Sequence, residues 1–270
     1  MSMIADAFAK GTTHYFQPPA SIKAFGADNE PETGMDARLA TLVGLVALGL
    51  PVALLLTPYF GGCFRDSISH HYYEPLFGPV FVGMLSFIGG FLIAYRGDHW
   101  AENFGASLAG LGAFGVAVLP TTGAGCEKIA GITSRVFVAA QPDGTLMPDP
   151  NAFTLFAGVE NLHGISAAIV FGFLALFVGV VLRRVVPARH MVDGQIIPTK
   201  RKRNILYSIC SLTIALCIAA LGLKTLGGAD FLAGWNLWNL TFWVETLALW
   251  AFAVAWLAKG RQFPALNDPE

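Results

Sequence analysis

Six side chains in this sequence have the types and spacing to do chemistry. Ser67, His70 and His71 lie in "CFRDSISHHYYEP", Glu160 and His163 in "GVENLHGIS", and Glu245 in "NLTFWVETLALW". Carboxylates and imidazoles together can hold a divalent metal or exchange protons, and Ser67 would share one helical face with His71 if the segment were helical. The catalytic candidates are therefore Ser67, His71 and Glu245. The candidate metal ligands are His70, His71, Glu160, His163 and Glu245. Glu160 and His163 have a Glu-x-x-His spacing, which aims one oxygen and one nitrogen at a common point in carboxylate-bridged bundles. The sequence has one copy of that spacing, and a local hydrogen bond explains it equally. Haem held by His163 with His70 or His71 is a further reading of the same residues.

Glu245 is the most anomalous of the six. Its flanking run places a carboxylate about two turns inside an apolar helix, where it costs several kcal/mol unless protonated, paired or facing water. It is expected to point into the protein, either as an ion or proton pathway, metal ligand or acid/base group, or as a packing hydrogen bond. Pro75 would sit inside any helical extension of "SISHHYYEP" and break it, so that segment is expected to loop.

The elements that must position these residues are membrane helices. The 270 residues are 54% hydrophobic and 13% charged, against about a quarter charged in soluble domains. The mean hydropathy is +0.58. Six windows, at about residues 39–59, 76–95, 102–119, 159–182, 204–223 and 238–258, are long and apolar enough for a hydrocarbon core of about 30 Å. The expected fold is all-α, an integral bundle of six transmembrane helices. Residues 1–38 read as a cytoplasmic arm, without the uninterrupted apolar run of a signal peptide. Residues 259–270 read as a cytoplasmic tail, and 122–158 as a long loop or hairpin. A small-residue row, Ala101, Gly105, Ala109, Ala113 and Ala117, predicts close helix packing and a central place for the third span.

Direction follows from charge. Arg183, Arg184, Arg189, Lys200, Arg201, Lys202 and Arg203 place seven of the 17 basic residues in one connection, 183–203, which is expected to be cytoplasmic. Both termini then lie inside, and residues 60–75, 120–158 and 224–237 lie outside. Trp235, Trp238 and Trp243 fit an outer aromatic belt. On that topology Cys63 and Cys126 share an oxidising compartment that permits a disulfide; the alternative is two free thiols. Cys210 and Cys217 read as small apolar packing residues.

No Walker motif, dinucleotide glycine fingerprint, His-Glu-x-x-His or Gly-x-Ser-x-Gly is present, so nucleotide-driven, zinc-protease and serine-hydrolase functions have no support. Nucleic acid is not an expected partner. The expected partners are membrane lipids, with a homo-oligomer or a larger membrane assembly as alternatives.

The runs "PYFGGCFRDSISHHYYEP", "GPVFVGMLSFIGGFLIAYRG", "LAGLGAFGVAVLPTT" and "WVETLALWAFAVAWLAKG" resemble a group of uncharacterised bacterial multi-span membrane proteins. They are also faintly similar to the six-span Frag/DRAM type, which carries a polar segment after its first span. Ser67 and His71 match the Ser-x-x-x-His of the ceramidase and progestin-receptor hydrolases, a resemblance that implies a zinc centre. The match is partial: Glu245 stands where a His-x-x-x-His is needed. The expected function is a structural subunit or a lipid- or small-molecule-handling module in the plasma membrane. A metal-dependent hydrolase or oxidase at the outer face and a proton- or ion-coupled carrier using Glu245 are the alternatives.

Overall fold

The computed structural model describes residues 34–62, 64–74, 76–119, 138–140, 146–148 and 162–268. Eight helices account for most of them: α1 Gly34–Leu55, α2 Phe77–Ala94, α3 Trp100–Val118, α4 Leu162–Leu176, α5 Pro187–His190, α6 Pro198–Lys224, α7 Ala229–Leu237 and α8 Leu240–Lys259. Five of them, α1, α2, α4, α6 and α8, are long and apolar enough to cross a membrane. This fits a membrane-embedded protein. The third expected span, α3, forms where the windows place it, but Glu102, Asn103 and four glycines dilute its apolar character.

The long helices make a closed ring. Helix α1 packs on α2 and α8, α2 on α3, α3 on α4, α4 on α6, and α6 on α8. Small residues set the closest approach: a Cβ on Gly110 would lie 2.6 Å from the Gly89 carbonyl oxygen, so α2 and α3 touch backbone to backbone. From the predicted small-residue row, Ala109, Ala113 and Ala117 are fully buried, whereas Ala101 is exposed. The outward face of α6 carries Ile205, Ile209, Leu212 and Leu216, each more than half exposed, in a row at helical spacing.

Helix α4 ends in a π-turn, Phe177–Val181, closed by Leu182 N–H to Phe177 O. The Ser211 hydroxyl on α6 donates to Ala175 O at 2.8 Å, the carbonyl that Gly179 N–H would use in a regular helix. A side chain inserted into the hydrogen-bond ladder in this way loosens it by one residue.

Several boundaries differ from the windows. Helix α1 reaches back to Gly34 and ends at Leu55, because a separate 3-10 turn takes Thr57–Phe60 and Pro58. Helix α6 begins at Pro198 instead of residue 204, so Lys200 to Arg203 are helical. The 183–203 connection is not an open basic loop: it holds α5, a hairpin of Met191–Val192 with Gln195–Ile196, and the first turns of α6. Lys200 and Arg203 are buried in it, 1% and 4% exposed. Hydropathy windows cannot find such residues, because a buried cation satisfied by a carbonyl or carboxylate scores like an exposed one. The 224–237 connection contains α7. In the 122–158 segment, Val138–Ala140 pairs antiparallel with Leu146–Pro148, the hairpin alternative.

Candidate functional site

One end of the ring is closed by residues 57–74, and this is where the chemical candidates collect. The chain leaves α1 through Thr57–Phe60, turns at Gly61 in the left-handed region, and makes a 3-10 helix Ser69–Tyr73 before α2. The segment is therefore looped, as expected, although Pro75 lies outside the described residues. Gly62 permits the fold-back: a Cβ there would lie 2.5 Å from Thr57 Cγ2 and 2.6 Å from Glu74 Oε2.

The segment lies across the start of α8. Phe242 N–H, a first-turn donor that the helix itself cannot satisfy, donates to Asp66 O at 2.8 Å. One turn further, Glu245 Oε2 accepts from Ser67 Oγ at 2.9 Å and from Ile68 N–H at 2.7 Å. Glu245 thus points inward, and it ties the cap to the bundle. Ser67 and Ser69 hydroxyls are 3.3 Å apart.

The two adjacent histidines do different things. His71 is fully buried; its Nδ1–H donates to Ser67 O at 2.9 Å and its Nε2 accepts from Arg65 N–H at 3.4 Å. Both ring nitrogens are engaged by backbone, which fixes the neutral tautomer. Burial pushes the His71 imidazole down to about 4, against the opposing Ser67 carbonyl and Glu74 charge. Phe64 and Phe242 pack on the ring at 5.7 Å each. His70 instead hydrogen-bonds Asp66 Oδ1 through Nδ1. Burial pushes the Asp66 carboxyl up, but the His70 bond and charge, with Lys224 and the backbone, outweigh it and hold Asp66 below its ordinary value.

Arg65 Nε donates to Glu74 Oε1 at 2.6 Å with both side chains buried, 8% and 4% exposed. Alongside, Lys224 Nζ and Trp235 Nε1 both donate to Thr241 Oγ1 at 2.8 Å, anchoring the ends of α6 and α7 to α8. His163, near the start of α4, donates from Nδ1 to Leu119 O at 3.4 Å. It does not share a hydrogen bond with Glu245.

Ser67, His70, His71 and Glu245 are thus brought together, and His163 joins a different contact at the same end. Glu160 lies outside the described residues, as do Cys63 and Cys126 with their candidate disulfide. The described cysteines, Cys210 and Cys217, are free and buried. Among the described residues no three His, Cys, Asp or Glu side chains gather as a metal site would require. The Ser67–His71 pair, at the spacing of the membrane hydrolases, meets through the Ser67 carbonyl and not through its hydroxyl.

No family model, curated protein or solved structure matches the chain.

Sequence reasoning left out Arg65, Asp66, Glu74, Lys224 and Thr241. The signal was present for some of them: ionisable residues flanking apolar spans must pair, and Asp66 and His70 are four residues apart. Which acid pairs with which base depended on the fold-back at Gly61 and Gly62.

Proposed function

We propose that the chain is a six-span integral membrane protein, with α3 as the sixth span, that serves as a non-enzymatic membrane module: a structural subunit or a handler of lipids or small molecules. Seven basic residues in 183–203 favour a cytoplasmic position for that connection and both termini. The capped end then faces the exterior or periplasm.

One observation carries the reading. At the capped end, the groups that could do chemistry are turned on one another: Glu245 on Ser67 and Ile68, both nitrogens of His71 on backbone, and Arg65 on Glu74. A catalytic cluster leaves at least one such group aimed at the position of a reacting atom. Here the groups build an ordered plug.

A second reading, metal-dependent hydrolysis or oxidation, would draw on His70, His163 and Glu160. Metal analysis and an absorption spectrum of the detergent-purified protein, beside Glu245→Gln and His163→Ala, separate the two. A colourless, metal-free protein with variants that purify in the same form is expected. Stoichiometric metal that disappears in His163→Ala would overturn the plug reading.

A further inference from the structure

The π-turn that ends α4 lies at the opposite, basic end of the ring, and the residues that follow it are nearly indifferent to a one-residue shift. A π-turn is an α-helix holding one residue more than the regular ladder takes, so every residue beyond it is displaced by one place, about 100° of rotation and about 1.5 Å of rise. Ser211 and Gly179 make room for the extra residue: the Ser211 hydroxyl donates to Ala175 O at 2.8 Å, and a Cβ on Gly179 would lie 2.4 Å from Ser211 Oγ. Once the hydroxyl lets go, Gly179 N–H can close on Ala175 O. Each residue from Val180 onward then takes the place of the residue after it.

The run Val180, Val181, Leu182, Arg183, Arg184 suits that exchange. Val180, exposed, enters the buried place of Val181, valine for valine. Val181 enters the buried place of Leu182 and brings its own carbonyl to Lys200 Nζ, which here donates to Leu182 O at 3.2 Å. Arg183 enters the place of Arg184, whose guanidinium donates from Nη1 to Asp98 Oδ2 at 3.1 Å and from Nη2 to Glu102 Oε1. Arg183 is exposed, and among the described residues its printed bond reaches back only to Gly179 O of its own helix, at 3.3 Å. The acidic seat has unused capacity, because Glu102 Oε2, in a residue 7% exposed, has no hydrogen-bond partner among the described residues. Leu182 bears the loss, since it leaves a place that is 1% exposed for the outward one of Arg183. That loss and the Ser211 bond make the observed register the lower of the two.

We propose that the end of α4 is a one-residue register switch, in which Arg183 and Arg184 alternate on Asp98 and Glu102. Two discrete registers with matched contacts let a packed bundle move without unpacking. The straightened helix advances by about 1.5 Å into the basic connection 183–203. The switch rests on the lipid- or small-molecule-handling half of the proposed function, to which it gives a moving part. Its failure would leave a structural subunit, while the metal analysis tests the non-enzymatic reading separately.

The test follows residue 182 by peptide-resolved maleimide labelling of Leu182→Cys in the full detergent-purified chain. Leu174→Cys, equally buried but before the π-turn, is the control for unfolding. Ser211→Ala should raise labelling at 182 about fivefold, the weight of one hydrogen bond, and leave 174 protected. Ser211→Thr, which keeps the hydroxyl, should stay at the native level. Arg184→Gln should also raise labelling at 182, because only the shifted register then seats a guanidinium, and Arg183→Gln added to it should cancel the rise. Thermal melts without any introduced cysteine read the same exchange: the Arg183→Gln, Arg184→Gln double variant should lose more than the sum of the single losses, since each arginine replaces the other. Labelling at 182 that is equal in the native chain, Ser211→Ala and Arg184→Gln, labelling at 174 that rises with it, or additive losses in the melts would overturn the proposal and make the π-turn a fixed kink.

Discussion

At the capped end, three buried carboxylates find their partners in a single short segment: Arg65 meets Glu74, Asp66 meets His70, and Glu245 meets Ser67 and Ile68. At the basic end the three buried cations come from two helices, α6 and α8, and find mixed partners. Lys200 donates to Leu182 O at 3.2 Å, and Arg203 is held by Asp268 in the strap that follows α8. Lys259 lies over the rings of Trp256, Tyr95 and Phe177 at 4.7, 4.9 and 5.5 Å. Those rings pack on one another, with Phe177 stacked parallel on Trp256 at 5.8 Å. An aromatic face loses little when its cation is removed, whereas a buried carboxylate without its cation is stranded. The capped end should therefore be brittle to single substitutions and the basic end tolerant.

The largest effect should come from Arg65→Ala. Glu74 would keep a buried charge with no guanidinium, and breaking such a pair costs about 3–5 kcal/mol. A melting-temperature loss no larger than that of Arg184→Ala, whose guanidinium is 37% exposed beside Asp98 and Glu102, would break the comparison. Acid should come next. The folded state holds His71 near 4, below its unfolded value of 6.5, so the unfolded chain binds the extra proton between those values. Stability from His71 is complete above about 6.5 and is lost as pH falls toward 4, about 2 kcal/mol by pH 5. A His71→Gln variant should lose that part of the pH dependence in thermal melts.

Glu245→Ala removes the acceptor of two donors and should cost about 1–3 kcal/mol. Glu245→Gln keeps a carbonyl oxygen in place and should cost less. Equal losses for the two would mean that the charge, not the hydrogen bonds, is what the cap uses. The smallest effect belongs to Lys259→Met, which trades a cation–π contribution of about 0.5–2 kcal/mol against relief of a buried charge. Its expected change is within about 1 kcal/mol of zero. A collapse of the fold would make the two ends alike.

How far these features were legible differs from one residue to the next. Hydropathy located every long helix, since an apolar run of about 20 residues needs no tertiary context to be recognised. Glu245 stood out as a carboxylate that had to face inward, and it does. The ends of α6 did not stand out: Lys200 and Arg203 look like the exposed basic flank of a span, and only the strap and the α4 terminus show that they are buried. The histidine pair gave no sign that His71 would be locked by Ser67 O and Arg65 N–H. Backbone acceptors carry no side-chain signature.

The sequence by itself determined the helix count within the ring, the looped character of 64–74 and the inward aim of Glu245. The first follows from apolar runs of about 20 residues, and the other two from the cost of placing a proline or a polar group in an apolar helix. Only the tertiary structure decided the partners: that Glu245 meets Ser67, that Asp66 O caps α8, and that Asp268 returns to Arg203. Those contacts join residues as far apart as 178 positions, and they form only when six helices close into a ring.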